Sequence, residues 1–462
     1  MRIVLLNPPF SHYASIQPSL GLAYLAMVAK TKGAEVKIID AHADKLSSEE
    51  TERIIVDYVP DVVGVTITTP VFDAVIKILK KVREKISVFV IAGGAHPSAM
   101  PEETLEGGFV DVVCVGEGEE TFKEIIDYLR GKNSLKEIAG IKFLDKGRIF
   151  STQPRSFVKD LDRFLFPDWD EFKLNSYFSP ARKMKITLPI MTSRGCPSDC
   201  YFCYKDIFGN KYRYRSPRNV VAEIKHLKTM YKIQEFSIID DNFALLNERA
   251  EKICKLIIDE EINLPWSLTN GIRVSPLSES LLKLMKKSGC YRVFFGAETG
   301  DEEILKKINK DITLKQVRQA VELTKKSGLE AGVFFMIGNL GEDEAKINKT
   351  IEFAIKLDPD FAQFTIATPY PGTKFYDKVK NEGRFLFEEW EEVGSYKKAI
   401  FEHGALTAKL IDRKFKEAYR RFYLRPKFIV KKLKRIKTFK DVRNIIEGVV
   451  VFTNIEKIRS AK

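Results

Sequence analysis

The sequence predicts an α/β protein with two consecutive parallel-sheet domains followed by a basic helical region. Short apolar runs alternate with amphipathic stretches through the first 150 residues, and the alternation resumes with a longer repeat from about residue 186. This rhythm is typical of βαβ units, whose strands lie parallel in a sheet that helices cover. The predicted parts are a doubly wound domain at 1–150, a linker at 151–185, a partial (β/α)6 barrel at 186–395 and a basic helical region at 396–462.

The composition is that of an ordinary globular protein. Of the 462 residues, 44% are hydrophobic and 30% are charged, and no apolar run is long enough for a membrane-spanning helix. The first apolar run, at 2–6, is followed by Pro8 and Pro9 and is too short for a secretory signal. We therefore expect a cytoplasmic location, where the six cysteines stay reduced.

The first domain is expected to bind a ligand at the carboxyl ends of its strands. The predicted strands are 2–6, 35–39, 62–66, 88–92, 112–115 and 141–143. In a flavodoxin- or Rossmann-like sheet, ligands bind beyond these ends, near the point where the strand order reverses. The loops there are rich in glycines and small hydroxyls, which let the backbone approach a large ligand closely. The candidate contacts are Thr66, Thr68, Gly93, Gly94, His96, Gly116 and Glu117.

The second domain has six predicted strands with helices between them. These strands are 185–191, 235–239, 266–270, 292–296, 330–337 and 361–366. Ser216, followed by Pro217, and Thr313 are suited to start two of the helices. Six such units suit a partial barrel, and parallel barrels carry their active sites at the carboxyl ends of the strands.

Three cysteines lie within eight residues, just after the first strand of the predicted barrel. Cys196, Cys200 and Cys203 have the spacing C-x3-C-x2-C. Thiolates select zinc, copper(I) or iron–sulfur clusters, and a zinc site would need a fourth ligand closer than Cys254 or His226. A cubane cluster usually takes four cysteines, so three would leave one iron open for chemistry. A zinc ribbon and three unrelated loop cysteines are the alternatives.

Polar residues follow the later strands at the same predicted face. Asp240 and Asp241 come after the second strand, Arg273 after the third and Glu298 after the fourth. Side chains at this face can converge on one ligand. The structural alternatives are that Asp241 caps a helix and that Glu298 and Arg273 form a buried ion pair.

The cysteine loop resembles the cluster loop of the radical S-adenosylmethionine (SAM) enzymes, including the aromatic Phe202 before the last cysteine. The first 130 residues resemble the cobalamin-binding domain that precedes many of these modules. The matching motifs are PSLGLAYL at 18–25, GGAHPS at 93–98, PEET at 101–104 and GEGE at 116–119. The resemblance thus covers both predicted domains.

The resemblance implies a [4Fe–4S] cluster on Cys196, Cys200 and Cys203, with SAM chelating the open iron. It also implies binding roles for the polar residues at the barrel face. Asp240, Asp241 and Glu298 could bind the ammonium or ribose hydroxyls of SAM, Glu298 being the best ribose candidate; Arg273 could bind its carboxylate, and Phe202 would lie near adenine.

For cobalamin the resemblance has one departure. The motif D-x-H-x-x-G, whose histidine ligates cobalt in other cobalamin proteins, is missing, because Lys45 stands where Asp40 and His42 would require glycine. Either cobalt has no histidine ligand here, or the domain binds no cobalamin and is a vestigial scaffold. His96 could approach the corrin or merely cap a loop.

The resemblance implies reductive cleavage of SAM to a 5′-deoxyadenosyl radical, with an external donor such as ferredoxin or flavodoxin, and cobalamin-dependent C-methylation of an unactivated carbon. The same chemistry could instead cyclise, oxidise or couple carbons, as in tetrapyrrole or hopanoid pathways. A tRNA methylthiotransferase would need a second cysteine cluster, and residues 1–190 contain only Cys114. A non-catalytic iron–sulfur protein should have a fourth cluster ligand.

Positive charge is concentrated near the C-terminus. Residues 409–437 hold 13 Lys/Arg and two Asp/Glu in a chain of net charge +13. Basic and aromatic residues alternate there, which suits a helix on an anionic membrane or contact with an anionic partner. The alternative is a solvated helix that covers the barrel mouth. We expect a small-molecule or lipid-like substrate and no nucleic-acid partner.

Overall fold

The computed structural model describes residues 1–10, 15–179, 182–274 and 277–433 and contains two compact units. The first consists of Met1–Tyr177, Tyr204–Arg213 and Glu389–Glu391. The second consists of Phe178–Cys203, Tyr214–Glu388 and Glu392–Lys462. Within the described residues, no helix combines the length and apolar character needed to cross a bilayer.

A seven-stranded sheet forms the centre of the first unit, in the order β2-β1-β3-β4-β5-β6-β7. Its strands are β1 (Arg2–Asn7), β2 (Glu35–Asp40), β3 (Val62–Thr66), β4 (Phe89–Gly93), β5 (Val112–Cys114), β6 (Ile141–Asp145) and β7 (Arg148–Ser151). The first five are parallel, and β1 lies between β2 and β3, so the strand order reverses beside β1. The doubly wound fold is confirmed, and the reversal defines its ligand crevice.

Two features of this sheet differ from the sequence prediction. β6 pairs antiparallel with β5, and β7, which was not predicted, pairs antiparallel with β6. Lys146 and Gly147 both have positive φ and close a two-residue hairpin. All four residues of β7 are exposed, so this strand has no buried alternation for a sequence pattern to reveal.

Helices cover both faces of the sheet. Consecutive strand residues such as Ile3, Val4 and Leu5 are therefore all buried, whichever face they point to. The helices are α1 (Leu20–Thr31), α2 (Ser48–Tyr58), α3 (Phe72–Lys85), α4 (Ala95–Ala99), α5 (Pro101–Leu105) and α6 (Glu119–Leu129). Ser19 caps α1 by accepting from the Leu22 N–H.

The second unit is an open, six-stranded parallel sheet in the order β15-β14-β13-β12-β11-β8, which confirms the partial barrel. Its strands are β8 (Thr187–Ile190), β11 (Glu235–Ile238), β12 (Trp266–Ile272), β13 (Cys290–Glu298), β14 (Glu330–Ile337) and β15 (Phe361–Ile366). Two short ladders pair β9 (Ser193–Arg194) with β10 (Arg213–Tyr214) and β16 (Arg384–Phe385) with β17 (Phe401–Glu402).

The helices of this unit follow the strands in the β/α alternation. They are α7 (Pro217–Met230), α8 (Asn247–Asp259), α9 (Glu279–Lys287), α10 (Glu302–Lys307), α11 (Leu314–Lys326), α12 (Glu344–Leu357), α13 (Lys374–Glu382), α14 (Ala408–Tyr423) and α15 (Pro426–Leu433). Ser216 caps α7 and Thr313 caps α11, as predicted.

Tyrosines of α14 protect the edge of this open sheet. The Tyr423 hydroxyl accepts from the Ala362 N–H at 3.2 Å and donates to the Ala362 carbonyl at 2.7 Å. Tyr419 donates to the Phe364 carbonyl at 2.9 Å. Unpaired backbone groups of an edge strand invite aggregation, and here helix side chains satisfy them.

The course of α14 shows that it does not cover the barrel mouth. Its first turns carry Ile411 against Gly338, just beyond the carboxyl end of β14, and its last turn reaches Ala362 near the start of β15. The helix therefore lies along the edge strand, and the mouth-covering interpretation is wrong for α14. Residues 434–437 of the predicted basic segment lie outside the described residues.

Replacing Tyr423 with phenylalanine is expected to lower the free energy of unfolding by about 1–3 kcal/mol, because the buried amide and carbonyl of Ala362 lose their partner. Chemical denaturation would measure the loss. Tyr58→Phe is the control, since its hydroxyl donates to the exposed Glu35 carboxylate at 2.9 Å rather than to a buried backbone group. Equal effects of the two substitutions would contradict this account of the sheet edge.

Candidate functional site

The three cysteines lie on the loop beyond the carboxyl end of β8. Cys196 and Cys200 are half-buried, Cys203 is exposed, and the Cys203 N–H donates to the Cys200 carbonyl at 3.1 Å. Gly195, immediately before Cys196, has a φ of 81°, a left-handed conformation that favours glycine at this turn.

The other cysteines are unsuited to bind metal. Burial raises the pKa of Cys114 and of Cys254 to about 12, and it also raises the pKa of Cys290. These three thiols therefore stay protonated at neutral pH. Because a metal binds the thiolate and not the thiol, they are poor ligands. Of the cysteines, the three on the loop after β8 are the ones that fit an iron–sulfur cluster.

These three thiols do not yet surround a metal-sized volume. Across the described ranges, no three His, Cys, Asp or Glu side chains are gathered as metal ligands would be. The loop brings three soft donors into one short stretch, and cluster binding would have to draw them together. The donor chemistry therefore fits a [4Fe–4S] cluster with three protein ligands.

Asp240 and Asp241 hold the start of this loop. The buried Asp240 carboxylate accepts from the Thr192 N–H and hydroxyl, both at 2.5 Å, and from the Ser193 hydroxyl at 2.6 Å. Burial raises the pKa of Asp240, and these hydrogen bonds oppose that shift. Asp241 accepts from the Gly195 N–H at 3.0 Å. Their contacts with SAM stay predictions.

The helix-cap alternative for Asp241 is wrong. The next helix, α8, begins at Asn247 and its N-cap position is Leu246. Asp241 instead stabilises the turn that leads into the first cysteine.

Glu298 forms a buried ion pair with Lys310 rather than with Arg273. The two side chains are 9% and 13% exposed, and Glu298 Oε1 lies 2.6 Å from Lys310 Nζ. Burial alone would lower the pKa of Lys310, but the charges of Glu298 and Cys200 raise it. A Cβ at Gly296 would lie 2.7 Å from Lys310 Nζ, so this glycine makes room for the pair.

Lys310 also links Glu298 to the cysteine loop. Its ammonium lies 5.6 Å from the centre of the Phe202 ring, within range of a cation–π contact. Sequence analysis missed Lys310. Lys310 lies in the Asn309-Lys310-Asp311 turn, in which Asn309 and Asp311 both have positive φ, and the local sequence carries no signal for its pairing with Glu298.

Arg273 contacts the cysteine loop directly. Its guanidinium donates to the Ser198 hydroxyl, to the Lys310 carbonyl at 3.2 Å and to the Asp311 carbonyl at 2.7 Å. The structure therefore brings Arg273, Glu298 and Phe202 together around Lys310. Whether they bind SAM stays a prediction.

Tyr201 anchors the middle of the cysteine loop and was also missed. Its hydroxyl accepts from the Leu340 N–H at 3.2 Å, and its ring lies 4.9 Å from that of Phe375. Its own N–H donates to the Ile308 carbonyl at 3.2 Å. An aromatic residue between two cysteines has no sequence signal that distinguishes such anchoring from a role in the cofactor site.

Glu342 closes the turn after β14. Its buried carboxylate accepts from the Gly338 and Asn339 N–H groups, both at 2.9 Å. Burial is the largest influence and raises the pKa of Glu342 to about 7, although these hydrogen bonds act against the shift.

This carboxyl should make stability fall as pH rises. Its pKa is raised in the folded state from 4.5 to about 7, so the folded protein binds the extra proton in that interval. The stabilisation is complete below the ordinary pKa and is lost as pH rises through the raised value, by about 3 kcal/mol in total. Urea unfolding across this interval should show a shallower decline for Glu342→Gln than for the wild type, and parallel curves would contradict the assignment.

In the first unit, the loops after β3, β4 and β5 contact one another at the carboxyl edge of the sheet. Gly94 has a φ of 104°, and a Cβ there would lie 2.8 Å from the Ile67 carbonyl oxygen and 3.1 Å from Thr66 Oγ1. The Gly116 N–H donates to the Ser98 hydroxyl at 3.0 Å. Only glycine permits this close backbone approach at position 94.

His96 is enclosed at this edge. It is fully buried, its ring centre lies 4.3 Å from that of Phe72 and 5.2 Å from that of Trp390, and Nδ1 lies 3.3 Å from Thr69 Oγ1. Burial lowers the pKa of His96 to about 4, so the imidazole is neutral at neutral pH. Its approach to a corrin stays a prediction, as do those of Thr68 and Gly93.

Asp40 belongs to a structural network beside the crevice. It accepts from Asn7 Nδ2 and the Tyr177 hydroxyl, both at 2.8 Å. Lys45 has a φ of 56°, and the ring of His42 lies 5.6 Å from that of Phe10. These contacts pack this part of the chain against its own unit.

Two family models match the chain. The radical SAM superfamily matches residues 190–354 and the B12 binding domain matches residues 9–126. A relative is 37% identical over 441 residues, which cover 93% of this chain and 94% of that protein. The chain therefore belongs to the radical SAM enzymes with an amino-terminal B12-binding domain, and its cofactors are a [4Fe–4S] cluster, SAM and cobalamin.

That relative is an uncharacterized methyltransferase of Pyrococcus horikoshii. An anaerobic magnesium-protoporphyrin IX monomethyl ester cyclase of Rubrivivax gelatinosus is 26% identical over 446 residues, which cover 93% of this chain and 78% of that protein. The fold is similar to that of TsrM of Kitasatospora setae, a radical SAM methyltransferase solved with cobalamin and a [4Fe–4S] cluster. That similarity has a TM-score of 0.69 and 18% identity, and covers 90% of this chain and 81% of that one.

Proposed function

We propose that Cys196, Cys200 and Cys203 hold the cluster at which this enzyme cleaves SAM, and that the product is a C-methylated small molecule. The observation that carries this proposal is the three-thiol loop beside the buried Glu298–Lys310 pair. When bound, the cluster and SAM supply a 5′-deoxyadenosyl radical and cobalamin supplies the methyl group.

The chain's own residues would bind and orient SAM. Glu298 is an acceptor for the ribose hydroxyls or the ammonium, and Lys310 and Arg273 are cations for the carboxylate. Because all three lie on or next to the cysteine loop, their charges converge where SAM must meet the open iron. Phe202 would lie against the adenine. Preorganised partners of this kind place the reacting bond and spare the reorganisation cost.

The carboxyl edge of the first sheet would receive cobalamin. Thr66, Gly94 and Gly116 lie in loops that approach one another there, and the strand reversal beside β1 opens the crevice. The other predicted contacts, including Thr68, Gly93 and His96, lie on the same loops. The enclosure of the His96 imidazole by Phe72, Thr69 and Trp390 supports a role as packing beside the corrin more than as a cobalt ligand.

A second candidate outcome is ring closure or oxidation by the same radical, which the cyclase relative favours. The products of SAM distinguish the two. Methyl donation leaves S-adenosylhomocysteine, whereas reductive cleavage leaves 5′-deoxyadenosine and methionine. The reduced, corrin-loaded enzyme should release about one S-adenosylhomocysteine per corrin in a single turnover if it methylates. 5′-Deoxyadenosine without S-adenosylhomocysteine would favour ring closure.

The reductive step needs one electron, and we propose that an external ferredoxin or flavodoxin supplies it. Reduction by either protein should replace a chemical reductant in SAM cleavage. If only the chemical reductant supports 5′-deoxyadenosine formation, this partner class is wrong.

We also propose contact between the C-terminal helices and an anionic membrane. Leu424, Ile429 and Val430 are 60%, 43% and 48% exposed, and the side chain of Lys427 among them is 81% exposed. Arg425, the residue before α15, pairs with Asp358 at 3.3 Å, and Lys427 lies 3.9 Å from the same carboxylate. Exposed apolar residues interspersed with cations suit an anionic lipid surface.

Flotation with phosphatidylglycerol vesicles tests this contact. Binding should fall severalfold for Ile429→Asp/Val430→Asp and should be lost on neutral phosphatidylcholine vesicles. Leu144→Asp, which changes an apolar residue of 42% exposure on β6, is the matched control and should float like the wild type. Equal flotation of all three proteins would reject the membrane contact, and with it the best support for a lipid-like substrate.

A further inference from the structure

A buried ion pair joins the loop after β5 to the residues that follow the last cysteine of the cluster loop. Glu117 Oε1 lies 2.8 Å from one guanidinium nitrogen of Arg213, and Oε2 lies 3.1 Å from the other. The side chains are only 6% and 8% exposed. Two parallel charge-assisted hydrogen bonds fix orientation as well as distance.

The same two terminal nitrogens of Arg213 also donate to backbone carbonyls, one in this stretch and one in the segment before β8. The guanidinium donates to the Val158 carbonyl at 2.8 Å and to the Phe208 carbonyl at 2.9 Å, and it lies 4.8 Å from the centre of the Phe157 ring. Gly209, with a φ of 76°, fits against the same ring, because a Cβ there would lie 3.0 Å from Phe157 Cζ.

This stretch belongs to the first unit although the cluster loop does not. Residues Tyr204–Arg213 cluster with the first sheet, whereas Cys203, one peptide bond earlier, clusters with the barrel. Gly116, next to Glu117, packs against it as well, since a Cβ there would lie 3.4 Å from the Asp206 carbonyl oxygen. The first unit thus holds the exit of the cluster loop.

We propose that Glu117 and Arg213 are a positioning pair that fixes the exit of the cluster loop to the cobalamin-side loop after β5. Glu117 then acts through Arg213 rather than as a cofactor contact. The inference rests on the proposed function only in naming the two cofactors; the attachment itself is a property of the chain. Lysine cannot replace Arg213, because its ammonium lacks the planar guanidinium geometry that donates to the carboxylate and to two carbonyls at once.

Hydrogen–deuterium exchange of the full-length, cluster-reconstituted protein, without SAM or substrate, tests the pair. Amide exchange in 204–213 should rise about tenfold in both Glu117→Gln and Arg213→Lys, with the rest of the first sheet unchanged. Bound iron per chain should fall in the same variants. Arg163→Gln removes an ion pair with Glu120 in the same unit, but Arg163 is 53% exposed, so this variant should match the wild type.

Three outcomes would overturn the proposal. The first is unchanged amide exchange in 204–213. The second is a rise in exchange spread evenly over the first unit, which would mean simple destabilisation. The third is wild-type exchange in Arg213→Lys, which would mean that positive charge alone suffices. If the wild type forms no 5′-deoxyadenosine, the proposed function fails while the exchange result still decides this inference.

Discussion

Replacing Cys196, Cys200 and Cys203 together with alanine is expected to remove the bound iron and to abolish 5′-deoxyadenosine formation while the fold persists. The thiols lie on a half-exposed loop outside the core, so their loss should leave the barrel intact. Without thiolates the loop has no soft ligands for iron. Iron and sulfide analysis, far-UV circular dichroism and chromatography of the SAM products would measure the three effects.

Cys254→Ala is the control for cysteine content. Cys254 is fully buried on α8, and burial keeps its thiol protonated, so its loss should cost about 1 kcal/mol of stability and no iron. Iron retained by the triple variant, or lost from Cys254→Ala, would contradict the assignment of the cluster ligands.

Glu298→Gln should weaken SAM binding by about a hundredfold or more and abolish detectable cleavage. The substitution removes an acceptor proposed for SAM and leaves the buried Lys310 ammonium without its counter-charge, a change that costs about 3–5 kcal/mol in buried pairs. Part of this cost should appear as a lower melting temperature. Equilibrium dialysis with labelled SAM on the cluster-loaded protein would measure the affinity.

Two variants separate binding from stability. Glu298→Gln/Lys310→Met removes both charges and should recover melting temperature but not SAM affinity. Glu303→Gln breaks the pairs of the 55% exposed Glu303 with Lys307 on α10 and with Lys346, and should change neither melting temperature nor SAM affinity. Recovery of SAM binding in the double variant would show that neither Glu298 nor Lys310 contacts SAM and that the pair matters only for folding.

The strand positions were predictable because burial on both faces gives parallel strands continuous apolar runs. The predicted strands overlap β1–β6, β8 and β11–β15. β7 was missed because its side chains are all exposed, so a local turn and backbone pairing define it rather than hydrophobic burial.

The site was predictable in part for a similar reason. Short-range spacing identifies Cys196, Cys200 and Cys203, since a ligand loop is contiguous in sequence. Lys310 and Glu298 are 12 residues apart in sequence, and the turn that holds Lys310 contains residues with positive φ. No local sequence pattern predicts that the two side chains pair.

Two acidic residues show what residue type alone leaves undecided. Asp240 and Glu117 both follow strands and were both expected to contact cofactors. In the structure Asp240 accepts three hydrogen bonds from Thr192 and Ser193, and Glu117 is held by Arg213. A carboxylate at the end of a strand can bind a ligand or support a loop, and the partners that decide this lie far away in sequence.

The central claim is tested most directly by anaerobic reconstitution with iron, sulfide and hydroxocobalamin, followed by reduction in the presence of SAM. We expect about four irons and about one corrin per chain, with 5′-deoxyadenosine formed by the wild type and absent from the triple cysteine variant. A full cluster that yields no 5′-deoxyadenosine, or yields it equally without the three cysteines, would contradict the account.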